Sequence, residues 1–230
     1  MGAVYLIRHG QASFGQADYD ALSGTGVEQS RVLGEALRTR LPQVDLVLSG
    51  TMRRHRQTAD ACLAAMRLDA ERLEQPGFNE YDHDELVARL EPRYADHAQL
   101  AAELAGTPDA RRAFQALFGK AMERWMSGRH DAEYSESWSA FQARCSKALE
   151  DLVRALGASR TALVFTSGGP ISAICQKLLG IADAEMARVN WTMANCGVTK
   201  LIYSERSVYL STLNEHSHFE GARRHLITYR

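Results

Sequence analysis

The chain has 230 residues, of which 45% are hydrophobic and 24% are charged. This mix is typical of a globular protein and excludes a disordered chain, a collagen or a coiled coil as a description of the whole. The 27 lysines and arginines are balanced by 28 aspartates and glutamates. Because the chain has no overall positive charge, we expect neither nucleic acid nor an anionic membrane as a partner. A bound anion would need a local basic cluster, such as residues 52–56.

The cysteines and the apolar runs indicate a cellular compartment. Cys62, Cys145, Cys175 and Cys196 lie far apart in apolar stretches and form no CxxC motif. This spacing predicts buried, unpaired thiols in a reducing environment. The apolar run at residues 3–7 is far too short for the core of a signal peptide, and no stretch approaches the roughly 18 apolar residues of a membrane span. We therefore expect a cytoplasmic protein.

The first third of the chain alternates apolar runs with amphipathic segments. Residues 3–7 predict a buried strand that ends in a loop. Ser23 is the predicted N-cap of a helix that extends to about residue 41. Residues 44–48 predict a second strand, and a second helix follows to about residue 66.

The middle of the chain is predominantly helical in pattern. Residues 84–135 contain helix-forming stretches broken by Pro92 and by Gly106-Thr107-Pro108. We predict that this segment is a helical insertion over the mouth of the active site. Beyond it, the spacing of apolar residues predicts one long helix over residues 135–156, and residues 161–166 predict a third core strand.

The last third predicts one more helix and a hairpin. Pro170 suits the first position of a helix that would end at Gly180. Residues 198–203 and 208–213 predict a terminal hairpin, whose edge is a candidate for pairing with another subunit in a homodimer. Since strands alternate with helices, we expect an α/β fold with three α/β/α layers and a mostly parallel central sheet. Residues 1–230 would form one domain.

Three of the predicted strands are followed by residues suited to binding an anion. Residues 8–11 are Arg-His-Gly-Gln, residues 49–56 combine Ser-Gly-Thr with three arginines, and residues 167–169 are Ser-Gly-Gly. In open α/β sheets, ligands bind beyond the carboxyl ends of the strands. The latter two segments also begin helices, whose backbone N–H groups and positive dipole ends favour an anion. The sequence therefore predicts a phosphate site at this edge.

The motifs at these positions resemble one known family. The run Leu6-Ile7-Arg8-His9-Gly10-Gln11 resembles the signature of the histidine phosphatase superfamily, which includes the phosphoglycerate mutases. Residues 54–59 are similar to the family's R-A-x-Q-T-A helix, and residues 164–171 are similar to its V-V-S-H-G-G-x-I segment. Three further segments match the family pattern, at residues 20–34, 195–199 and 214–219. The resemblance thus extends from residue 3 to about residue 219.

The resemblance implies that His9 is the nucleophile. Its imidazole would attack phosphorus to form a phosphohistidine that water then hydrolyses, with no metal or cofactor. To attack, the ring must be neutral, with its other nitrogen held by a hydrogen bond, often to a backbone carbonyl. Arg8 and Arg54 would hold the phosphoryl oxygens, because a guanidinium donates two parallel hydrogen bonds. The matched motifs also imply phosphate contacts for Gln11, Ser167 and Gly168.

The second phosphate-binding arginine has two candidate positions. Counting back four residues from Thr58 selects Arg54, whereas counting forward four residues from Ser49 selects Arg53. We choose Arg54, since it is anchored to the helix motif, and keep Arg53 as an accessory candidate. No two of the remaining histidines have the spacing of metal ligands, so no metal site is expected.

The family uses a carboxylic acid to protonate the leaving oxygen, and Glu80 takes that position in the segment at residues 78–84. A nearby aromatic side chain and partial burial would raise its pKa and keep it protonated. Asp82 and Asp84 are the competing acids in the same segment.

The chain departs from the family at Ser167, where the pattern has a second histidine. Serine can donate a hydrogen bond to a phosphoryl oxygen, but losing a charged donor costs about 3 kcal/mol in the transition state. Three outcomes follow: reduced activity, phosphate binding without turnover, or compensation by another group, for which His218 is our hypothesis. A serine nucleophile is disfavoured, because the segment lacks the G-x-S-x-G elbow.

These observations predict a phosphoric monoester hydrolase that acts on a phosphorylated small molecule or a phosphoprotein. The alternatives are a catalytically weak phosphate- or phosphoprotein-binding member of the family, or a phosphoglycerate-type mutase. An α/β nucleotide binder is disfavoured, because neither G-x-G-x-x-G nor G-x-x-x-x-G-K is present. The insertion would select the substrate, with Trp125 and Trp138 either at its mouth or in the core.

Overall fold

The computed structural model describes residues 1–13 and 20–229. In this part of the chain, one sheet contains β1 (Gly2–Arg8), β2 (Leu46–Ser49), β3 (Arg72–Glu74), β4 (Thr161–Thr166), β5 (Val198–Tyr203) and β6 (Val208–Glu215). The order across the sheet is β3-β2-β4-β1-β5-β6. The first four strands in this order pair in parallel, whereas β5 is antiparallel to both of its neighbours. The predicted α/β class with a mostly parallel sheet is therefore confirmed.

The register brings the carboxyl ends of three strands to one edge of the sheet. Arg8, at the end of β1, lies opposite Thr166, at the end of β4. Ser49, at the end of β2, lies opposite Phe165. β1 and β4 are long apolar runs because a central parallel strand is buried on both faces. The residues that follow these strands consequently meet beyond a single edge.

Helices cover both faces of the sheet. In the described residues they are α1 (Gly24–Arg40), α2 (Arg53–Met66), α3 (His83–Leu90), α4 (His97–Ala105), α5 (Ala110–Met126), α6 (Trp138–Leu156), α7 (Gly168–Leu179) and α8 (Asp183–Trp191). Alternate residues of a strand face opposite sides, so Leu6 packs in the core under α5, α6 and α7, and Ile7 packs in the core under α1 and α2. None of these helices is both long and apolar enough to span a membrane.

The helical segment between β3 and α6 is built on an aromatic core. The ring of Trp125 lies 5.1 Å from that of Tyr81 and 5.1 Å from that of Trp138. Both indole N–H groups are satisfied, by the Glu136 carbonyl oxygen at 2.8 Å and by an Asp183 carboxylate oxygen at 3.0 Å. The two tryptophans are therefore buried core residues. This core also fixes the backbone next to the predicted proton donor, which directly precedes Tyr81.

The structure differs most from the sequence-based expectations in three elements. The three-residue strand β3 and the helix α8 were not predicted. α7 begins at Gly168, two residues before Pro170. Proline is tolerated there because the first N–H groups of a helix have no partner within the helix. All four cysteines are buried and unpaired, as predicted.

Gly34 allows a close approach between α1 and α2. A Cβ at this position would lie 2.2 Å from the Cys62 carbonyl oxygen and 2.8 Å from the Ala65 Cβ. Because that carbonyl belongs to the backbone of α2, it cannot rotate away. We therefore expect Gly34→Ala to lower the free energy of unfolding by about 1–3 kcal/mol, despite alanine's better helix propensity.

Urea denaturation of the two variants Gly34→Ala and Gly24→Ala tests this packing. Gly24 lies at the start of α1, and a Cβ added there would meet no atom within 4 Å. It is the matched control, and its substitution should change the unfolding free energy by less than about 1 kcal/mol. Equal stability of the two variants would contradict the close approach at Gly34.

Candidate active site

The backbone of His9 is held from two sides. Its N–H donates to the Thr166 carbonyl oxygen (2.9 Å), which extends the pairing of β1 with β4. Its carbonyl oxygen accepts a hydrogen bond from the Asn195 side-chain amide (3.1 Å). The next residue, Gly10, donates its N–H to Thr58 Oγ1 (3.0 Å) on α2. The position of His9 is thus set by three separate parts of the chain.

The His9 side chain is held in one tautomer. Nδ1 lies 2.7 Å from the Gly10 carbonyl oxygen and must donate its hydrogen to it, which leaves the lone pair on Nε2. The ring is 8% exposed. Burial, followed by the positive charges of Arg54 and Arg8, holds the pKa of His9 well below its ordinary value of 6.5. His9 is therefore a neutral imidazole whose Nε2 carries the lone pair.

Arg8 is a buried cation with an unused donor. The side chain is 4% exposed, and Nη1 donates to the Met193 carbonyl oxygen. Among the described residues, the buried Nε has no hydrogen-bond partner. Burial lowers the pKa of Arg8 to about 10, so the guanidinium stays charged at neutral pH. An unpaired N–H on a buried cation is suited to an anionic oxygen.

Of the two arginines at the start of α2, Arg54 is the buried one. Its side chain is 4% exposed, and Nη1 donates to an Asp20 carboxylate oxygen at 2.6 Å. The other oxygen of Asp20 accepts the backbone N–H of Arg53 (2.7 Å), whose side chain is exposed. Arg54 also acts electrostatically on both His9 and Glu80. The structure thus places Arg54 with the buried cluster and Arg53 at its surface.

Glu80 lies at the N-terminus of α7. Its carboxylate accepts hydrogen bonds from the Gly169 N–H (3.1 Å) and the Tyr81 N–H (3.3 Å). A Cβ at Gly169 would lie 2.0 Å from Glu80 Oε1, so only glycine allows this contact. Burial raises the pKa of Glu80, while the Gly169 N–H and the cations Arg54 and Arg8 oppose this effect.

The competing acids lie in other environments. Asp82 caps α3, because its carboxylate accepts the N–H groups of Asp84 (3.0 Å) and Glu85 (2.9 Å). The Asp84 side chain is 75% exposed and lies 3.8 Å from His97. Glu80 is therefore the acid of this segment that contacts the α7 N-terminus.

At the starts of α2 and α7, some of the backbone N–H groups that we expected to face a bound phosphate already donate to carboxylates. Asp20 takes the Arg53 N–H at the start of α2, and Glu80 takes the Gly169 N–H at the start of α7. This corrects the expectation that both helix ends offer free N–H groups to phosphate.

Gln11 and Gly168 occupy supporting positions. Gln11 Oε1 accepts the hydroxyl hydrogen of Ser23 (2.9 Å), and its backbone N–H donates to Gln29 Oε1 (2.8 Å), so Gln11 links the loop after β1 to α1. Gly168 lies beside Arg8: a Cβ added there would be 3.7 Å from Arg8 Nε.

Ser167 contacts a histidine that the sequence analysis did not select. Its Oγ lies 2.6 Å from Nε2 of His55, and both side chains are fully buried. The His55 ring centroid is 5.8 Å from that of His9. A signal was present: His55 stands at the second position of the R-A-x-Q-T-A pattern, where the pattern has alanine.

His218, our sequence-based candidate for compensation, has other contacts. Its ring packs on Phe219, with centroids 4.1 Å apart, and its electrostatic neighbours include Glu215 and Arg40. Burial lowers the pKa of His218 to about 4. The histidine that contacts Ser167 is His55.

His83 is a second histidine that the sequence analysis did not select. It lies close enough to Arg54 and Arg8 for their positive charges to lower its pKa. Its ring is 4.9 Å from that of Tyr81 and 5.8 Å from that of Phe118. Burial, followed by Arg54 and Arg8, lowers the pKa of His83 to about 3.

The site therefore combines two buried cations, neutral histidines and a carboxyl group of raised pKa. Within residues 1–13 and 20–229, no group of three His, Cys, Asp or Glu side chains is placed to hold a metal ion.

Comparison with solved structures finds the same fold in proteins of low sequence identity. A phosphoserine phosphatase variant from Entamoeba histolytica, in complex with phosphoserine, is 18% identical, with 95% of this chain and 99% of that chain covered and a TM-score of 0.67. A phosphoglycerate mutase from Bacillus anthracis is 16% identical, with 94% of each chain covered and a TM-score of 0.64. A mycobacterial glucosyl-3-phosphoglycerate phosphatase is 23% identical, with 93% and 99% covered and a TM-score of 0.61.

Sequence comparison identifies the family. No curated protein matches the chain. The profile of the histidine phosphatase superfamily (branch 1) matches residues 4–113 and 105–216, which together cover most of the chain. These residues include β1, the start of α2 and the start of α7, where the described cluster lies. The chain therefore belongs to the histidine phosphatase superfamily.

Proposed function

We propose that the chain is a metal-independent phosphatase that hydrolyses a phosphomonoester through a phosphohistidine on His9. The observation that carries this proposal is the state of His9: Nδ1 is bonded to the Gly10 carbonyl oxygen, and the ring lies among two buried arginines. A neutral imidazole with a free Nε2 is a nucleophile, and the cations beside it suit a phosphoryl group. Glu80 is the proposed proton donor.

In the first displacement, the Nε2 lone pair of His9 forms a bond to phosphorus while the bond from phosphorus to the leaving oxygen breaks. Glu80 gives its proton to that oxygen, so the leaving group departs as an alcohol. The His9 ring becomes positively charged, and the Gly10 carbonyl oxygen stabilises that charge through Nδ1–H. Arg8 and Arg54 stabilise the charge on the equatorial phosphoryl oxygens.

In the second displacement, water attacks the phosphohistidine. Its oxygen bonds to phosphorus as the nitrogen–phosphorus bond breaks, and its proton passes to the Glu80 carboxylate. Orthophosphate leaves, and His9 and Glu80 return to their starting states. The cycle balances without a metal or a cofactor.

The substrate we propose is a phosphorylated small molecule, with a phosphoprotein as the alternative. Two of the solved relatives in the comparison are named as phosphatases of phosphoserine and of glucosyl-3-phosphoglycerate, and both names describe small phosphomonoesters. Ser167 favours one second candidate, a family member that binds phosphate with little turnover, because a hydroxyl is a weaker donor than a charged imidazole.

Substitution of the nucleophile tests the mechanism. We expect His9→Ala to reduce the hydrolysis of p-nitrophenyl phosphate by about a thousandfold or more, because the covalent route is lost. A chelator should leave the wild-type rate unchanged, and quenching wild type with labelled substrate in alkaline detergent should trap a phosphoprotein that is stable to alkali and labile to acid. His97→Ala is the matched control, since this histidine is exposed, and it should retain the wild-type rate.

The outcomes of this experiment separate the candidates. Wild-type turnover equal to that of His9→Ala, together with phosphate binding, would favour the binding protein over the phosphatase. Full activity in His9→Ala would contradict the assignment of the nucleophile.

Replacing the acid should have an effect that depends on the leaving group. We expect Glu80→Gln to slow hydrolysis of an alkyl phosphate by about a hundredfold or more, because an alkoxide leaves poorly without a proton. The first-turnover release of nitrophenolate from p-nitrophenyl phosphate should change much less, since nitrophenolate leaves unprotonated and the role of Glu80 as a base belongs to the second displacement. Asp84→Asn, at an exposed acid of the same segment, is the control and should leave both rates unchanged. An equal loss in the first turnover of both substrates would argue against Glu80 as the proton donor.

The pH dependence follows from the two shifted groups. His9 must be neutral to attack, and because its pKa is lowered, activity should persist below its ordinary pKa of 6.5. Glu80 must be protonated to donate, and because its pKa is raised, the alkaline decline should lie above its ordinary pKa of 4.5. A profile of kcat/KM with an alkyl phosphate measures both limbs, and the alkaline limb should be absent in Glu80→Gln.

A further inference from the structure

We propose that Ser167 and His55 act as one hydrogen-bonded pair, in which Ser167 Oγ donates to a phosphoryl oxygen and His55 positions that hydroxyl. The pair would supply the donor that the family pattern obtains from its second histidine. This proposal rests on the proposed phosphoryl site, and it makes His55 a positioning residue because it acts through Ser167.

The pair connects α2, which carries Arg54, with the residue that follows β4, the parallel neighbour of the strand that carries Arg8. His55 follows Arg54 in the first turn of α2, and Ser167 follows β4, which pairs with the strand that ends in Arg8. The distance from His55 Nε2 to Ser167 Oγ is 2.6 Å, and neither side chain is exposed. The backbone after Ser167, at Gly168, lies beside Arg8 Nε, which has no hydrogen-bond partner in the part of the chain that the structure describes. Ser167 is therefore next to the donor that we assign to the anion.

The surroundings of His55 determine which nitrogen carries its hydrogen. Nδ1 is buried without a hydrogen-bond partner among the described residues, and it faces the Cα of Gly50, where an added Cβ would lie 2.2 Å away. A buried N–H without an acceptor is rarer than a buried acceptor without a donor. The hydrogen therefore resides on Nε2, and His55 donates to Ser167 Oγ.

This tautomer leaves the hydroxyl hydrogen of Ser167 available. His55 uses a lone pair of Oγ, so the Ser167 O–H bond can point to another acceptor. A hydroxyl that accepts one hydrogen bond is polarised and becomes a better donor in the next. Burial and the adjacent Arg54 hold the pKa of His55 well below its ordinary value, so the pair remains neutral beside the arginines.

A mutant cycle tests the pair, with p-nitrophenyl phosphate turnover and inhibition by inorganic phosphate as the two measurements. We expect Ser167→Ala and His55→Ala each to lower kcat by about a hundredfold and to weaken phosphate inhibition, as expected for loss of one preorganised donor. The double variant should lose no more than the worse single variant, because residues that act as a unit are not additive.

Two further variants distinguish positioning from packing. His55→Gln retains an amide N–H that can reach Ser167 Oγ, and we expect it to recover most of the activity that His55→Ala loses. Ser30→Ala is the matched control: this serine is fully buried on α1, and its hydroxyl donates within its own helix to the Gly26 carbonyl oxygen (2.7 Å). It should retain the wild-type kcat and phosphate inhibition.

The outcomes separate this proposal from the proposed function. If wild type shows no His9-dependent turnover but the variants still weaken phosphate binding, the phosphatase fails and the pair stands. If turnover depends on His9 but Ser167→Ala is unaffected, the pair is overturned. Additive losses in the double variant, or no recovery in His55→Gln when its melting temperature equals that of wild type, would also overturn it.

Nitrogen-15 NMR should show His55 protonated at Nε2, and the opposite tautomer would contradict the proposed direction of donation.

Discussion

Burial of two arginines in one cluster is the constraint on which the site depends. Each guanidinium is only partly compensated: Arg54 is paired with Asp20, while Arg8 donates to a backbone carbonyl and retains an Nε with no hydrogen-bond partner in residues 1–13 and 20–229. Two partly compensated cations in a medium of low polarity disfavour any further positive charge and favour an anion. Burial, reinforced by the positive charges of Arg54 and Arg8, keeps His9 neutral, so the charge that would bind a phosphoryl group also helps to prepare the proposed nucleophile. Binding and reactivity therefore share part of their physical origin.

The precision of the site comes from backbone contacts between distant segments. Asn195, which holds the His9 carbonyl oxygen, is itself bonded through its backbone N–H and its side-chain oxygen to Thr228 (3.0 and 2.9 Å). Thr228 also accepts a hydrogen bond from Gln29 on α1 (2.7 Å). The C-terminal segment thus braces the loop that carries His9. A proposed nucleophile fixed by β4 and by this brace needs little reorganisation before attack.

The chain departs from the family pattern at positions 55 and 167, and the two residues at these positions are hydrogen-bonded to each other. A serine alone would place an uncharged, freely rotating hydroxyl where the pattern has an imidazole. A histidine at position 55, where the pattern has alanine, fills the adjacent space and bonds to that hydroxyl at 2.6 Å. The result is a neutral pair in place of a single ring, which adds no third charge beside Arg8 and Arg54. Each departure is accommodated by the other.

The sequence by itself determined the fold class, the strands that end at the site and the first helix with its Ser23 cap, because each is encoded by contiguous residues. It also selected Arg54, which the structure places in the buried cluster, and Glu80, which the structure places at the α7 N-terminus. Tertiary structure alone decided that His55, rather than His218, contacts Ser167. His55 and Ser167 are 112 positions apart in the sequence, and no local periodicity links them. It also decided that carboxylates occupy the helix N-termini, and it added α8 and the short edge strand β3. Such contacts arise where elements pack, and packing distances are not contained in the spacing of residues along the chain.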